Sequence, residues 1–102
     1  MSILFALTDK DLAGRDIYPF AAISSGLCES TEIQKYAVEH FSSIQHSELK
    51  LLWGVMLFDR GASSPEVAVF LRRALESNEQ TKVLSEMIGP KFEDFKRRVL
   101  LP

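Results

Sequence analysis

An all-α protein of about six short helices, packed as antiparallel hairpins, is what this 102-residue chain predicts. Three observations carry that expectation. Apolar residues recur at helical spacing almost everywhere after residue 18, no run of strict alternation suggests a strand, and the segments are joined by links of only a few residues. Links this short make neighbouring helices antiparallel, in either a helical repeat or a compact bundle. An apolar fraction of 46% is enough to give one domain, residues 1–102, a core of its own.

Residues 1–17 stand apart from the helical pattern. Residues 3–7 are apolar but run at once into Thr8-Asp9-Lys10-Asp11, with no basic stretch before them. That is a poor secretion signal and reads as a short strand or a docked N-terminal arm. Pro19 suits the first turn of a helix, where its missing N–H has no intrahelical partner, and Gly26 marks the stop, so the first helix covers about 19–27. Thr31-Glu32-Ile33-Gln34 has the capping-box pattern and starts the second. Its stripe is Ile33, Tyr36, Ala37, Phe41 and Ile44, and Ser42-Ser43 weaken its end, which places the stop near Ile44.

The third segment, 49–58, is apolar on two sides. Leu49, Leu52, Trp53, Met56 and Leu57 form one stripe; Leu51, Val55 and Phe58 form another. Such a helix is central in a core or presents one face to a partner. Gly61 ends it by taking a left-handed backbone conformation. Ser64-Pro65-Glu66 is the clearest helix start in the chain: a hydroxyl cap, a proline at the first position and a carboxylate near the positive dipole end. That fourth helix buries Val67, Phe70, Leu71, Ala74 and Leu75. Ser77-Asn78-Glu79-Gln80 caps a fifth, with Val83, Leu84, Met87 and Ile88 on its apolar face and Gly89-Pro90 as its stop. Phe92, Phe95, Val99 and Leu100 define the sixth.

Gly26, Gly61 and Gly89 each close the first helix of a pair at spacings of 35 and 28 residues, which bracket the roughly 34-residue period of tetratricopeptide repeats. With Gly54 as the glycine of the pattern W-x2-L-G-x2-Y…A-x3-F, Lys50 takes the Trp position, Trp53 the Leu position and Leu57 the Tyr position. After one extra residue, Val67 and Leu71 take the Ala and Phe positions, and Ala74-Leu75 is similar to the pair that follows them. Residues 49–79 thus resemble one tetratricopeptide hairpin, without its helix-ending proline. Trp53 to Gly61, followed by Phe-Leu-Arg-Arg-Ala-Leu-Glu-Ser, resembles the second half of the co-chaperones that sheathe needle subunits in bacterial type III secretion. That resemblance implies a bacterial chaperone holding an aggregation-prone amphipathic helix in a concave groove.

Composition narrows function mainly by exclusion. Twelve Lys and Arg against 14 Asp and Glu leave a net charge of −2, which argues against a protein that coats nucleic acid or anionic membrane. The single cysteine, Cys28, has no internal partner, so a reducing cytoplasm is expected, and no apolar run approaches the roughly 20 residues of a membrane span. His40 falls on the apolar stripe of the second helix and is either a base or pH switch, or a histidine tied to a backbone carbonyl. His46 follows in an expected loop, and the two histidines lack metal-ligand spacing. Nothing in the sequence brings Cys28 to His40, and neither a G-x-S-x-G motif nor a glycine-rich phosphate loop occurs. No catalytic residue, metal or cofactor is therefore nominated.

The basic cluster Lys91, Lys96, Arg97 and Arg98 includes the i,i+4 pairs Glu93–Arg97 and Asp94–Arg98, the arrangement of a self-satisfied exposed face. Val69 projects among Arg72, Arg73 and Glu76. The expected function is a non-enzymatic protein-binding module, a small chaperone or adaptor for a helical segment of another protein or for a second copy of the chain. The residues nominated for partner binding are Leu51, Val55 and Phe58, which with Tyr36 and His40 line or border a groove, and Val69, which beside two arginines belongs to a partner surface or is simply an exposed valine. Two other readings stand beside it: a nucleic-acid-binding or regulatory domain using the basic last helix, and an inhibitor or immunity-type protein that occludes an enzyme.

Overall fold

Helix starts in this chain are set where a side-chain oxygen or nitrogen accepts one of the four N–H groups that a helix leaves unpaired. The computed structural model describes residues 5–14, 18–62 and 64–101, so the strand-or-arm question at residues 1–4 and 15–17 lies outside them. Phe5 and Ala6 are helical, not strand, and six further α-helices lie wholly among the described residues: α1 (Tyr18–Leu27), α2 (Thr31–Glu39), α3 (Ser47–Asp59), α4 (Pro65–Glu76), α5 (Asn78–Ile88) and α6 (Phe92–Leu100). Single 3-10 turns at Phe41–Ser43 and Gly89–Lys91 complete the set, and no strand occurs among these residues. The protein is all-α.

Ser64 accepts from Val67 N–H at 3.3 Å with Pro65 at the start of α4, and Ser77 accepts from Gln80 N–H at 3.4 Å at the start of α5, as the sequence predicts. The α2 cap is displaced by one residue. Ser30, not Thr31, accepts from Ile33 N–H at 3.4 Å, and the Gln34 side chain donates to the Cys28 carbonyl at 2.7 Å instead of closing a capping box. The helix also ends at Glu39 rather than near Ile44. Ser42 and Ser43 are poor helix formers, and the tighter 3-10 turn there carries Phe41 against Phe70, with ring centroids 5.2 Å apart. Gly61 and Gly89 adopt the positive φ values of 71° and 74° that end α3 and α5. Gly26 does not: it lies inside α1, so the three evenly spaced glycines are not equivalent.

The centre of the fold is α3. Leu49, Leu51, Trp53, Met56 and Leu57 are all buried on it, α1, α2, α4 and α5 dock on it, and α4 packs in turn on α5 and α6. The predicted first hairpin is absent as such, because α1 and α2 dock on α3 rather than closely on each other. Where α3 meets α4, a Cβ on Gly54 would come within 3.2 Å of the Leu71 side chain and 3.5 Å of Phe41, so glycine permits the close approach. A radius of gyration of 12.8 Å matches the ~13 Å of a compact 100-residue chain. Of the two architectures the sequence left open, this is the bundle.

Candidate partner-binding groove

The residues that the sequence nominates for partner binding are not brought together on one surface. Leu51 is only 2% exposed and packs in a core with Ala74, Leu84 and Phe92, so it cannot line an open groove. Phe58 is half-buried, edge-on to Phe95 at 5.6 Å with the Arg98 guanidinium 5.5 Å above its ring. Val55 packs between the two core clusters and borders a cleft shared with Leu52, Met87 and Ile88. Of the second stripe of α3, Leu51 is thus covered by α4, α5 and α6, while Val55 and Phe58 stay half-buried against α5 and α6. The expectation that it opens beside Tyr36 and His40 is corrected, because the short links fold the later helices back over it.

Tyr36 and His40 face the N-terminal arm instead. Their rings stack at 4.2 Å, Phe5 lies 5.9 Å from Tyr36, and these side chains line a shallow groove with Thr8, Ser43 and Gln45. His40 Nδ1 stands 3.0 Å from the Tyr36 carbonyl, the histidine-to-carbonyl arrangement that the sequence offered as one option. The bond requires the proton on Nδ1.

A second histidine has a role that its expected loop position concealed. His46 is buried, and its Nδ1 accepts from Leu49 N–H at 3.2 Å, which starts α3 two residues earlier than predicted. Asp9 Oδ1 accepts from Ser47 N–H at 2.9 Å and from the Ser47 hydroxyl at 3.0 Å, and lies 3.7 Å from His46 Nε2. Aspartate, histidine and serine therefore meet, but not as a catalytic triad. Ser47 donates to the carboxylate rather than to an imidazole, and the accepting nitrogen of His46 is occupied by the backbone. The cluster is a helix cap that fastens residues 5–14 to α3, together with the Gln45 N–H donated to the Phe5 carbonyl at 3.0 Å. No local pattern reveals a cap supplied from 38 residues away.

The Ser47 backbone N–H holds the Asp9 carboxyl below its ordinary value of 3.8, helped by the Ser47 hydroxyl and His46. A depressed carboxylate contributes stability that is fully present above pH 3.8 and is lost as the pH falls through its lower folded value. Asp9 is 64% exposed, so solvent screens the effect and its magnitude is small. Asp9→Asn should flatten the acid limb of the stability curve below pH 3.8. Urea titrations at stepped pH check this; an unchanged acid limb would refute the link.

Cys28 is fully buried, and burial pushes its thiol up from the ordinary value, away from the nucleophilic thiolate. A thiol reagent such as dithionitrobenzoate should leave it unmodified in the native protein and label it quantitatively in urea. Fast labelling under native conditions would contradict its placement. Among the described residues no three His, Cys, Asp or Glu side chains are grouped to hold a metal ion, and no helix is long and apolar enough to cross a membrane.

Val69 is the one nominated residue that is both exposed, at 45%, and beside an apolar hollow. A groove of about 410 Å³ runs between α3 and α4, lined by Phe41, Lys50, Pro65, Glu66, Phe70 and Arg73 as well as Val69. Lys50 Nζ stands over both phenylalanines, 5.4 Å from the Phe41 centroid and 5.0 Å from that of Phe70. The sequence held a signal for this place, because Lys50 is the one charged residue in the otherwise apolar run 49–58.

The two arginines of the last helix are paired, though not with the partners that spacing predicts. Arg97 meets Asp94 at 3.1 Å and Arg98 meets Asp59 of α3 at 3.7 Å. Arg72, expected on the outer side of α4, donates to the Val99 carbonyl at 3.3 Å and the Leu101 carbonyl at 3.4 Å, and so caps the end of α6. No protein-family model, curated protein or solved structure matches this chain.

Proposed function

We propose that this protein is a binding module whose groove between α3 and α4 takes an amphipathic helix of a partner protein, as a small chaperone or adaptor does. The observation that carries the reading is Val69, 45% exposed at the edge of an aromatic-floored groove, on a helix whose other exposed residues include Glu66, Arg72, Arg73 and Glu76. A stripe with apolar residues at its centre and charge at its rim is the form that helix-in-groove recognition uses. The close α3–α4 approach at Gly54 supports the tetratricopeptide-like reading of this hairpin, since it falls at the glycine of that pattern. The nucleic-acid reading has less support, because Arg97 and Arg98 are already engaged by Asp94 and Asp59. Val69→Asp should leave the helical circular dichroism unchanged while abolishing recovery of the protein that the wild-type chain captures from its source cell. Capture unaffected by Val69→Asp would sink the reading.

A further inference from the structure

Lys50 is half-buried, and its ammonium projects over Phe41 and Phe70 into the groove beside Val69. Among the described residues no carboxylate lies within ion-pair distance of it. The ion pairs shown among the described residues are Asp9–His46, Glu29–Arg60, Asp94–Arg97 and Asp59–Arg98, all elsewhere. Arg73, a second cation on the lining, has no ion-pair partner among the described residues, of which Glu66 is the only acid on that lining. Glu66 and Arg73 are seven residues apart on α4, roughly 10.5 Å along its axis. The groove thus carries a net positive charge, with the ammonium of a half-buried lysine over its aromatic floor.

Building on the groove reading, we infer that the partner helix is acidic: an apolar stripe that rests on Phe41, Val69 and Phe70, bordered by Glu or Asp side chains that reach Lys50 and Arg73. A lysine whose side chain rests on two rings presents its ammonium beside Val69, and a partner helix laid over the groove excludes water there, so that an incoming carboxylate meets the ammonium in a lower dielectric than at an open surface. An arriving cation meets two like charges at the same place, which opposes basic partners.

The test uses two designed peptides with the same leucine stripe, one flanked by glutamate and one by lysine, titrated into the isotope-labelled full chain. The glutamate peptide should shift the resonances of Val69, Phe70 and Lys50 and bind at least about tenfold tighter than the lysine peptide, with the difference shrinking as salt is raised. Lys50→Met keeps the aliphatic stem over the rings and should erase the preference; Lys50→Glu combined with Arg73→Glu should invert it. Equal binding of both peptides at Val69 overturns the acidic partner and leaves the groove reading standing. Failure of both to shift Val69 overturns the groove as well. Concentration-dependent dimerisation that shifts the same resonances without peptide overturns the inference in favour of a second copy.

Discussion

Trp53→Ala is expected to leave the chain barely folded. Trp53 is fully buried at the centre of α3 and meets the Phe5 ring edge-on at 5.5 Å, so its removal opens a cavity between the N-terminal arm and the helices. Deleting a buried tryptophan costs about 3–5 kcal/mol, against a total of roughly 5–15 kcal/mol for a domain of this kind. Among the described residues its indole Nε1 is buried with no hydrogen-bond acceptor, and a buried donor left unpaired costs stability. Trp53→Phe removes that donor while keeping most of the ring volume and should therefore cost well under half as much as the alanine change. Urea unfolding followed by far-ultraviolet circular dichroism measures both. Native Trp53 fluorescence that already resembles tryptophan in water, or an alanine variant within ~1 kcal/mol of wild type, would contradict the placement.

Leu51→Asp is expected to abolish the folded monomer. The Leu51 side chain is enclosed by Ala74 of α4, Leu84 of α5 and Phe92 of α6, none of which supplies a partner for a carboxylate. An unpaired charge in such a site costs several kcal/mol even after relaxation, a large share of the stability available. The contrast with Val69→Asp is the informative part. Both place a carboxylate on a residue that sequence reading assigned to the binding face, yet one should unfold the protein and the other should leave its helicity intact. A folded, monomeric Leu51→Asp variant would mean that the second stripe of α3 is open after all.

The fate of that stripe separates two kinds of information. Periodicity states which residues of a helix are apolar, and it identified both stripes of α3 correctly. Whether Leu51, Val55 and Phe58 meet solvent, a partner or the rest of the chain depends on how α5 and α6 return, a long-range matter with no signature inside 49–58. The same limit separates Tyr36 and His40 from Val69. All were read as partner-binding candidates, but α2 carries the first two to residues 5–8 while α4 carries Val69 to the groove beside Phe41 and Lys50.

What the sequence determined by itself was local. Six helices were legible, with Ser64 and Ser77 as caps and Gly61 and Gly89 as stops, because each signal acts within one helical turn through a backbone hydrogen bond or a permitted φ. What only the tertiary structure decided was every pairing across distance. Ser30 displaced Thr31 as the cap of α2, with Gln34 drawn away to the Cys28 carbonyl. Asp9 completed the start of α3, Arg98 chose Asp59 over its helical neighbour, and Arg72 turned to the end of α6. Polar side chains within a few residues offer several bonds of nearly equal worth, and the choice among them falls to whichever leaves the apolar stripes of α3 most completely covered, a quantity no single segment contains.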